Sequence, residues 1–237
     1  MRLKFFLILN LITYALAAQD IPVNEGIVKD SLPPVNDPLY REDQFYASIA
    51  YNLIQDKPQG YSQYSLSTNL TVGFLRDIPL NEARNRAVAI GLGYSYNNIK
   101  HNLLINRIGD ERSYFVDIQD SYDKNKLVLH YAELPVEFRW RSSDAISHKF
   151  WRVYAGFKVS YLFADKAQYT FSNDKTTVTG NDDLNKIVYG TYISAGWNTW
   201  NLYAYYGLNP IFKSGTLSNG DSVKLRSLNI GLMFYIL

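Results

Sequence analysis

The stretch Val88-Ala89-Ile90-Gly91-Leu92-Gly93-Tyr94-Ser95-Tyr96 decides the fold. In an extended strand, successive side chains point to opposite faces. Val88, Ile90, Leu92, Tyr94 and Tyr96 therefore share one face, and Ala89, Gly91, Gly93 and Ser95 share the other. One face is greasy and the other is small and uncharged. A soluble sandwich would put charges opposite its greasy face, whereas the interior of a narrow barrel solvated by lipid wants small residues there. On this reading Gly91→Ser, facing a lumen, is expected to cost far less than Leu92→Arg, facing lipid.

Seven further stretches repeat the pattern. The first runs from about Gln44 to Ile54, with Phe45, Ala47, Ile49, Tyr51 and Leu53 on one face. The second, about Gln63 to Leu75, sets Tyr64, Leu66, Leu70, Val72 and Phe74 against Ser65, Ser67, Asn69, Thr71 and Gly73, and a compact turn is expected over 76–85. A fourth strand, about Leu127 to Arg141, turns Ala132, Leu134, Val136, Phe138 and Trp140 outward and Glu133, Pro135, Glu137 and Arg139 inward. The fifth, about Phe150 to Phe163, turns Arg152, Tyr154, Gly156, Lys158 and Ser160 inward. The sixth, about Ile187 to Trp197, and the seventh, about Trp200 to Phe212, meet across Asn198-Thr199 as a tight hairpin, and the eighth ends the chain. These strands predict an all-β fold, a closed antiparallel eight-stranded transmembrane up-and-down β-barrel. A soluble lipocalin-like barrel is the alternative, and it would carry charges outside and apolar residues inside.

Connections after strands two, four and six are short, and those after three and five are long. Short periplasmic turns and longer external loops would produce that sorting, with both termini in the periplasm. The long stretch 97–126 is expected to continue its flanking strands as a ribbon beyond the bilayer, and 165–185 reads as a second long loop. The 20 tyrosines, 12 phenylalanines and 4 tryptophans suit aromatic girdles at two membrane interfaces. A net charge of +2 and the lack of any basic cluster argue against nucleic acid. With no cysteine, disulfides, thiol catalysis and thiolate metal sites are excluded together.

Residues 1–17 read as a signal peptide: Arg2 and Lys4, an apolar run, then Ala15-Leu16-Ala17. Residues 18–43, with Pro22, Pro33, Pro34 and Pro38, read as a periplasmic tether, and 44–237 as the barrel. Within the tether, Asp30-Ser31-Leu32 resembles the O-glycosylation sequon of Bacteroidota, which makes Ser31 a candidate acceptor.

Four segments carry a family resemblance: YREDQFYASIAYNL at Tyr40 to Leu53, RNRAVAIGLGYSYN at Arg84 to Asn97, HYAELPVEFRWR at His130 to Arg141, and YYGLNPIFK at Tyr205 to Lys213. They resemble the PorT-like outer-membrane β-barrel proteins of Bacteroidota, many of them described only as porin-family proteins. Glu133-Leu134-Pro135-Val136 is the most specific match, because proline is rare inside a strand. The chain departs from many outer-membrane barrels in ending on Leu237, not phenylalanine. The resemblance implies residence in the outer membrane among lipid and lipopolysaccharide. Because some members belong to the type IX secretion machinery, it also implies envelope or secretion proteins as partners. It implies no cofactor.

The residues that could carry function are the inward charges Glu133, Glu137, Arg139, Arg152 and Lys158. They could line a translocation path or form a salt-bridged plug. An eight-stranded interior is just filled by side chains, so the plug is the expectation. His101, His130 and His148 have no serine or aspartate beside them at a hydrolase spacing. Asp182-Asp183 and Asp110-Glu111 lack the spacing of a calcium loop. The sequence therefore predicts a non-enzymatic barrel acting as a scaffold or partner-binding module through its loops or tether. A small porin and an outer-membrane lipid-modifying enzyme are the alternatives.

Overall fold

The computed structural model describes residues 43–108, 111–117, 122–142, 151–217 and 219–236. The signal peptide, the tether except Asp43, the Ser31 sequon, Asp110 and His148 lie outside the described residues.

Among the described residues eleven strands form in chain order: β1 Gln44–Gln55, β2 Thr68–Pro79, β3 Arg86–Lys100, β4 Leu103–Ile108, β5 Glu111–Val116, β6 Lys124–Arg141, β7 Trp151–Phe171, β8 Asp174–Thr179, β9 Ile187–Trp197, β10 Trp200–Gly207 and β11 Arg226–Ile236. Eight of them close an antiparallel barrel in the order β1-β2-β3-β6-β7-β9-β10-β11, with β11 returning to β1. The seam pairs Phe45 with Ile236 and Gln55 with Arg226. Closure leaves no lipid-facing edge, so each barrel strand is hydrogen-bonded to a neighbour on both sides.

Alternation governs each wall. Phe45, Ile49, Val72, Phe74, Ile90, Leu92, Leu134 and Phe138 are exposed, while Ser48, Asn52, Asn69, Thr71, Ser95, Glu133 and Glu137 are buried. An apolar exterior around a polar interior inverts a soluble protein and matches a hydrocarbon solvent. The small inward face of β3 also has a packing reason. Tyr46 lies across Gly73 and Gly93, and a Cβ on Gly73 would come within 2.5 Å of its ring. Gly156 accommodates Tyr192 in the same way. Small residues on one wall thus receive tyrosines from another.

That packing corrects one expectation. A Cβ on Gly91 would overlap the carbonyl oxygen of Phe74 on the neighbouring strand, so Gly91→Ser is not a mild change. Two belts of aromatic rings bound the apolar exterior. Trp140, Trp151, Trp197 and Trp200 lie near the end where β9 turns into β10, with Trp151 and Trp197 ring centroids 5.4 Å apart. Tyr94, Tyr96, His130 and Phe163 cluster toward the other end, and the Tyr94 hydroxyl lies 2.7 Å from Nδ1 of His130. Ten residues of β6 separate His130 from Trp140. At ~3.3 Å per residue and a tilt of ~40°, they span roughly 25 Å, the height of a lipid-facing band.

The loop end differs from the sequence expectation. β3 and β6 do pair out to Lys100 and Lys126, but Leu103–Ile108 and Glu111–Val116 pair with each other as a separate two-stranded sheet, β4–β5. Residues 165–179 are no irregular loop: β7 runs on to Phe171 and returns as β8. A β-bulge at His130/Tyr131 shifts the register, pairing His130 with Ala164 and Tyr131 with Leu162. Beyond it the outward row of β7 passes from odd to even residues, a switch that alternation alone cannot show.

The filled lumen and its cap as candidate functional site

Three layers fill the interior. Nearest the short turns, Asp77 of β2 meets the arginines of β6: Arg139 Nη1 donates to Asp77 Oδ1 at 3.0 Å, and Arg141 Nη1 and Nη2 donate to Oδ1 and Oδ2 at 2.9 Å each. Arg141 Nε also reaches the carbonyl of Arg84 at 2.8 Å. Glu137 accepts from Arg139 Nε at 2.9 Å, from the Tyr192 hydroxyl at 2.9 Å and from the Tyr235 hydroxyl at 3.0 Å. Arg152 is buried over the rings of Tyr154 and Tyr235. Removing charges from water is costly, and only dense pairing of this kind offsets it.

The middle layer pairs β6 with β7. Lys158 Nζ stands 3.1 Å from Glu133 Oε2 and 3.3 Å from the Tyr203 hydroxyl, above the ring of Tyr205 at 4.6 Å. Pro135 fits between these layers because its inward position faces Lys158 across the sheet and its missing N–H removes only local ladder bonds to β3. Toward the loops, Asn52 and Asn69 both donate to Asn97 Oδ1 at 3.0 Å, and Asn69 donates to Ser95 at 2.9 Å. Between this amide layer and the Glu133–Lys158 pair lies a chamber of about 30 Å³, bordered by Asn69, Asn97, Glu133, Lys158, Tyr205 and Asn229. That volume holds one or two waters, not a solute stream.

An apolar cap covers the polar layers. Ile54, Leu103, Ile105, Tyr114, Leu127, Leu184, Phe212, Leu217 and Val223 bury together, drawn from every connection at this end of the barrel. The Tyr114 hydroxyl ties the β4–β5 sheet to Asp183 Oδ2 at 2.6 Å, and Ser214 donates to Asp183 Oδ1 at 2.6 Å. Burial raises the Asp183 pKa, but the donors Ser214 and Tyr114 and the charges of Arg112 and Lys213 outweigh it and hold the carboxyl below its ordinary value. Asp182 pairs with Arg112 at 3.4 Å. His101 is buried beneath the cap, its Nδ1 accepting the amide of Leu103 at 3.0 Å, and burial pushes its pKa down to about 3.

All five charges singled out in the sequence are buried in the lumen, where Glu133 meets Lys158 and Glu137 meets Arg139. Arg152 packs on tyrosines. Sequence reading missed Asp77 and Arg141. Both follow from carrying the alternation two residues further along β2 and β6, since Ile78 is exposed beside buried Asp77.

A closed eight-stranded barrel with an apolar exterior, two aromatic belts and a charged, filled interior is the architecture of a bacterial outer-membrane protein. The family model for the outer membrane protein beta-barrel domain matches residues 18–213, and the chain belongs to that family, which places it in the outer membrane. A search of curated proteins finds no match. Among solved structures, Ail, the attachment invasion locus protein of Yersinia pestis, is similar at 12% identity and a TM-score of 0.41, over 84% of this chain and 100% of that one. A mutant of the Rh. blastica porin is similar at 8% identity and a TM-score of 0.21, over 83% of this chain and 100% of that one.

Proposed function

We propose that this protein is a non-conducting, non-enzymatic barrel that works as a scaffold: it holds the capped loop surface outside the cell and the turns and both termini in the periplasm. The observation that carries this reading is the stack of charged, amide and apolar layers, in which the chamber beside Glu133 and Lys158 measures about 30 Å³. A stack of that kind stiffens the barrel and blocks diffusion. The capped loops, or the proline-rich residues 18–43, then present the surface for envelope proteins. The PorT-like resemblance directs the search for those partners toward the type IX secretion machinery.

Neither alternative gains support from a particular side chain. Among the described residues, His101 and His130 make no hydrogen bond to a serine or a carboxylate, so neither forms the start of a hydrolytic triad. The test is single-channel recording in a planar bilayer together with crosslinking in intact cells. No conductance, with reproducible capture of an envelope protein through a loop-end or tether crosslinker, is the expected result. A steady wild-type conductance overturns the reading in favour of a porin.

A further inference from the structure

Five lysines gather on the outward face of the strands that continue past the belt of Tyr94, Tyr96, His130 and Phe163. Lys100 and Lys126 sit directly opposite each other on β3 and β6. Lys124 is two residues along the same outward row. Lys166 of β7 faces Val128, and Lys175 of β8 faces Thr170. The bulge at His130/Tyr131 brings them onto one surface, because beyond it the even residues of β7 turn outward. The other residues in these outward rows are Asn98, Val128, Gln168, Thr170, Thr177 and Thr179, none of them acidic, and the carboxylate at the margin of the face is the exposed Asp123 next to Lys124. Asp165, on the opposite row, is buried and accepts the amide of Asn181 at 2.9 Å.

Like charges placed directly across a strand pair destabilise it. Lys126 feels this: burial first, then Lys124, Lys166, Lys100 and Lys175, hold its pKa below the ordinary lysine value. Among the described residues none of the five lysines has an ion-pair partner. Such a face is relieved by an anion from outside. Beside it lies a surface pocket of about 550 Å³ bordered by Lys100, Lys124, Asp123, Tyr64 and Tyr122, with the two tyrosine centroids 5.7 Å apart. Two ammonium groups next to paired aromatic rings suit a sugar that carries phosphate. The volume lies in the range of small-ligand sites.

We propose that this face binds the phosphorylated sugar headgroup of an outer-leaflet glycolipid. The inference rests on the loop-outward orientation proposed above. It commits to a lipid because the patch continues without a gap into the lipid-facing belt of Tyr94, Tyr96, His130 and Phe163. Lys166, Lys126 and Lys124 lie two, four and six residues beyond the level of His130 on the ladder. That is roughly 5 to 15 Å past the belt, at headgroup height. Acyl chains of a molecule bound there would run down against the aromatic rings.

Native mass spectrometry of the folded barrel, purified from membranes in detergent, tests this with four probes: bisphosphorylated lipid A, dephosphorylated lipid A, phosphatidylglycerol and a sulfated heparin oligosaccharide. The expected result is selective retention of bisphosphorylated lipid A. It weakens roughly a hundredfold in a Lys100→Gln, Lys126→Gln, Lys166→Gln variant and persists when the same three become arginine. Equal binding of phosphatidylglycerol, or unchanged binding by the glutamine variant, overturns the proposal. Tighter binding of the oligosaccharide than of lipid A also overturns it, and points to a soluble polyanion. The comparison of phosphorylated with dephosphorylated lipid A uses wild-type protein, so it stands even if a variant fails to fold. Because the measurement is made in detergent, it is independent of orientation, which cysteine labelling in cells decides separately.

Discussion

Asp77 and Arg141 are joined by two parallel hydrogen bonds of 2.9 Å across the interior of the barrel, with both side chains shut off from solvent. Asp77 also accepts from Arg139, so one carboxylate anchors two guanidinium groups. Asp77→Asn should therefore destabilise the barrel by about 3–5 kcal/mol, because it strands buried cations. The loss is read as a lower temperature for the heat-modifiable shift in gel mobility. Asp77→Leu combined with Arg141→Met should recover part of it. An unchanged transition in Asp77→Asn would show that the layer carries no stability.

The two buried glutamates of β6 separate plug from pore. Glu133→Gln leaves Lys158 without its carboxylate, and Glu137→Gln takes the charge from the acceptor of Arg139, Tyr192 and Tyr235. Both variants should lower the unfolding temperature and leave a planar bilayer silent. A wild-type current whose ion selectivity changes in Glu133→Gln would mean that the lumen conducts.

Lipid placement makes a different demand. Leu92 is 70% exposed near mid-span, and arginine there should cost roughly 2–4 kcal/mol of barrel stability. Gly91→Ala should be damaging too, since the new methyl meets the Phe74 carbonyl. Urea titration of the refolded barrel in bilayers measures both. A neutral Leu92→Arg would contradict a lipid-facing exterior.

How far the sequence could be read follows from these residues. The facing of β1, β3 and the barrel half of β7 was legible because alternation is local, and so was the burial of Glu133, Glu137, Arg139, Arg152 and Lys158. Asp77 was lost because Arg76-Asp77-Ile78-Pro79 looks like a turn, though a proline is tolerated at a strand's end. The β4–β5 sheet and β8 were lost for another reason. Their apolar residues pack against a cap assembled from distant loops, and local periodicity does not report such contacts. The bulge and the Gly91 contact depend on neighbouring strands and have no signal within their own segment.

The cap should loosen in acid. His101 has a folded pKa of about 3 against an ordinary 6.5, so the unfolded cap binds its proton first as pH falls. Its contribution to stability is complete above about pH 6.5 and declines through the acid range, by roughly 3 kcal/mol near pH 4. Hydrogen exchange at Leu103 and Leu127, corrected for intrinsic rates, should speed up over that window, and His101→Gln should flatten the dependence. Exchange that tracks pH equally in both proteins would rule out this histidine.

Orientation is open to a clean experiment because the chain has no cysteine. A membrane-impermeant maleimide should label Asn219→Cys, at the loop end, in intact cells. Glu82→Cys, in the turn between β2 and β3, should stay unlabelled until the outer membrane is permeabilised. The reverse pattern would invert the topology.

The apolar cap limits how this protein can vary. Connecting loops ordinarily diverge freely and tolerate insertions at little structural cost. Here each loop-end connection contributes to one shared cluster, from Ile54 and Tyr61 through Leu103 and Tyr114 to Leu184, Leu217 and Val223. An exchange in one loop disturbs the seating of the others. Epitope insertion should therefore be tolerated at the tips near 172–173 and 219–220, outside the cluster, and should fail where a loop dips into it.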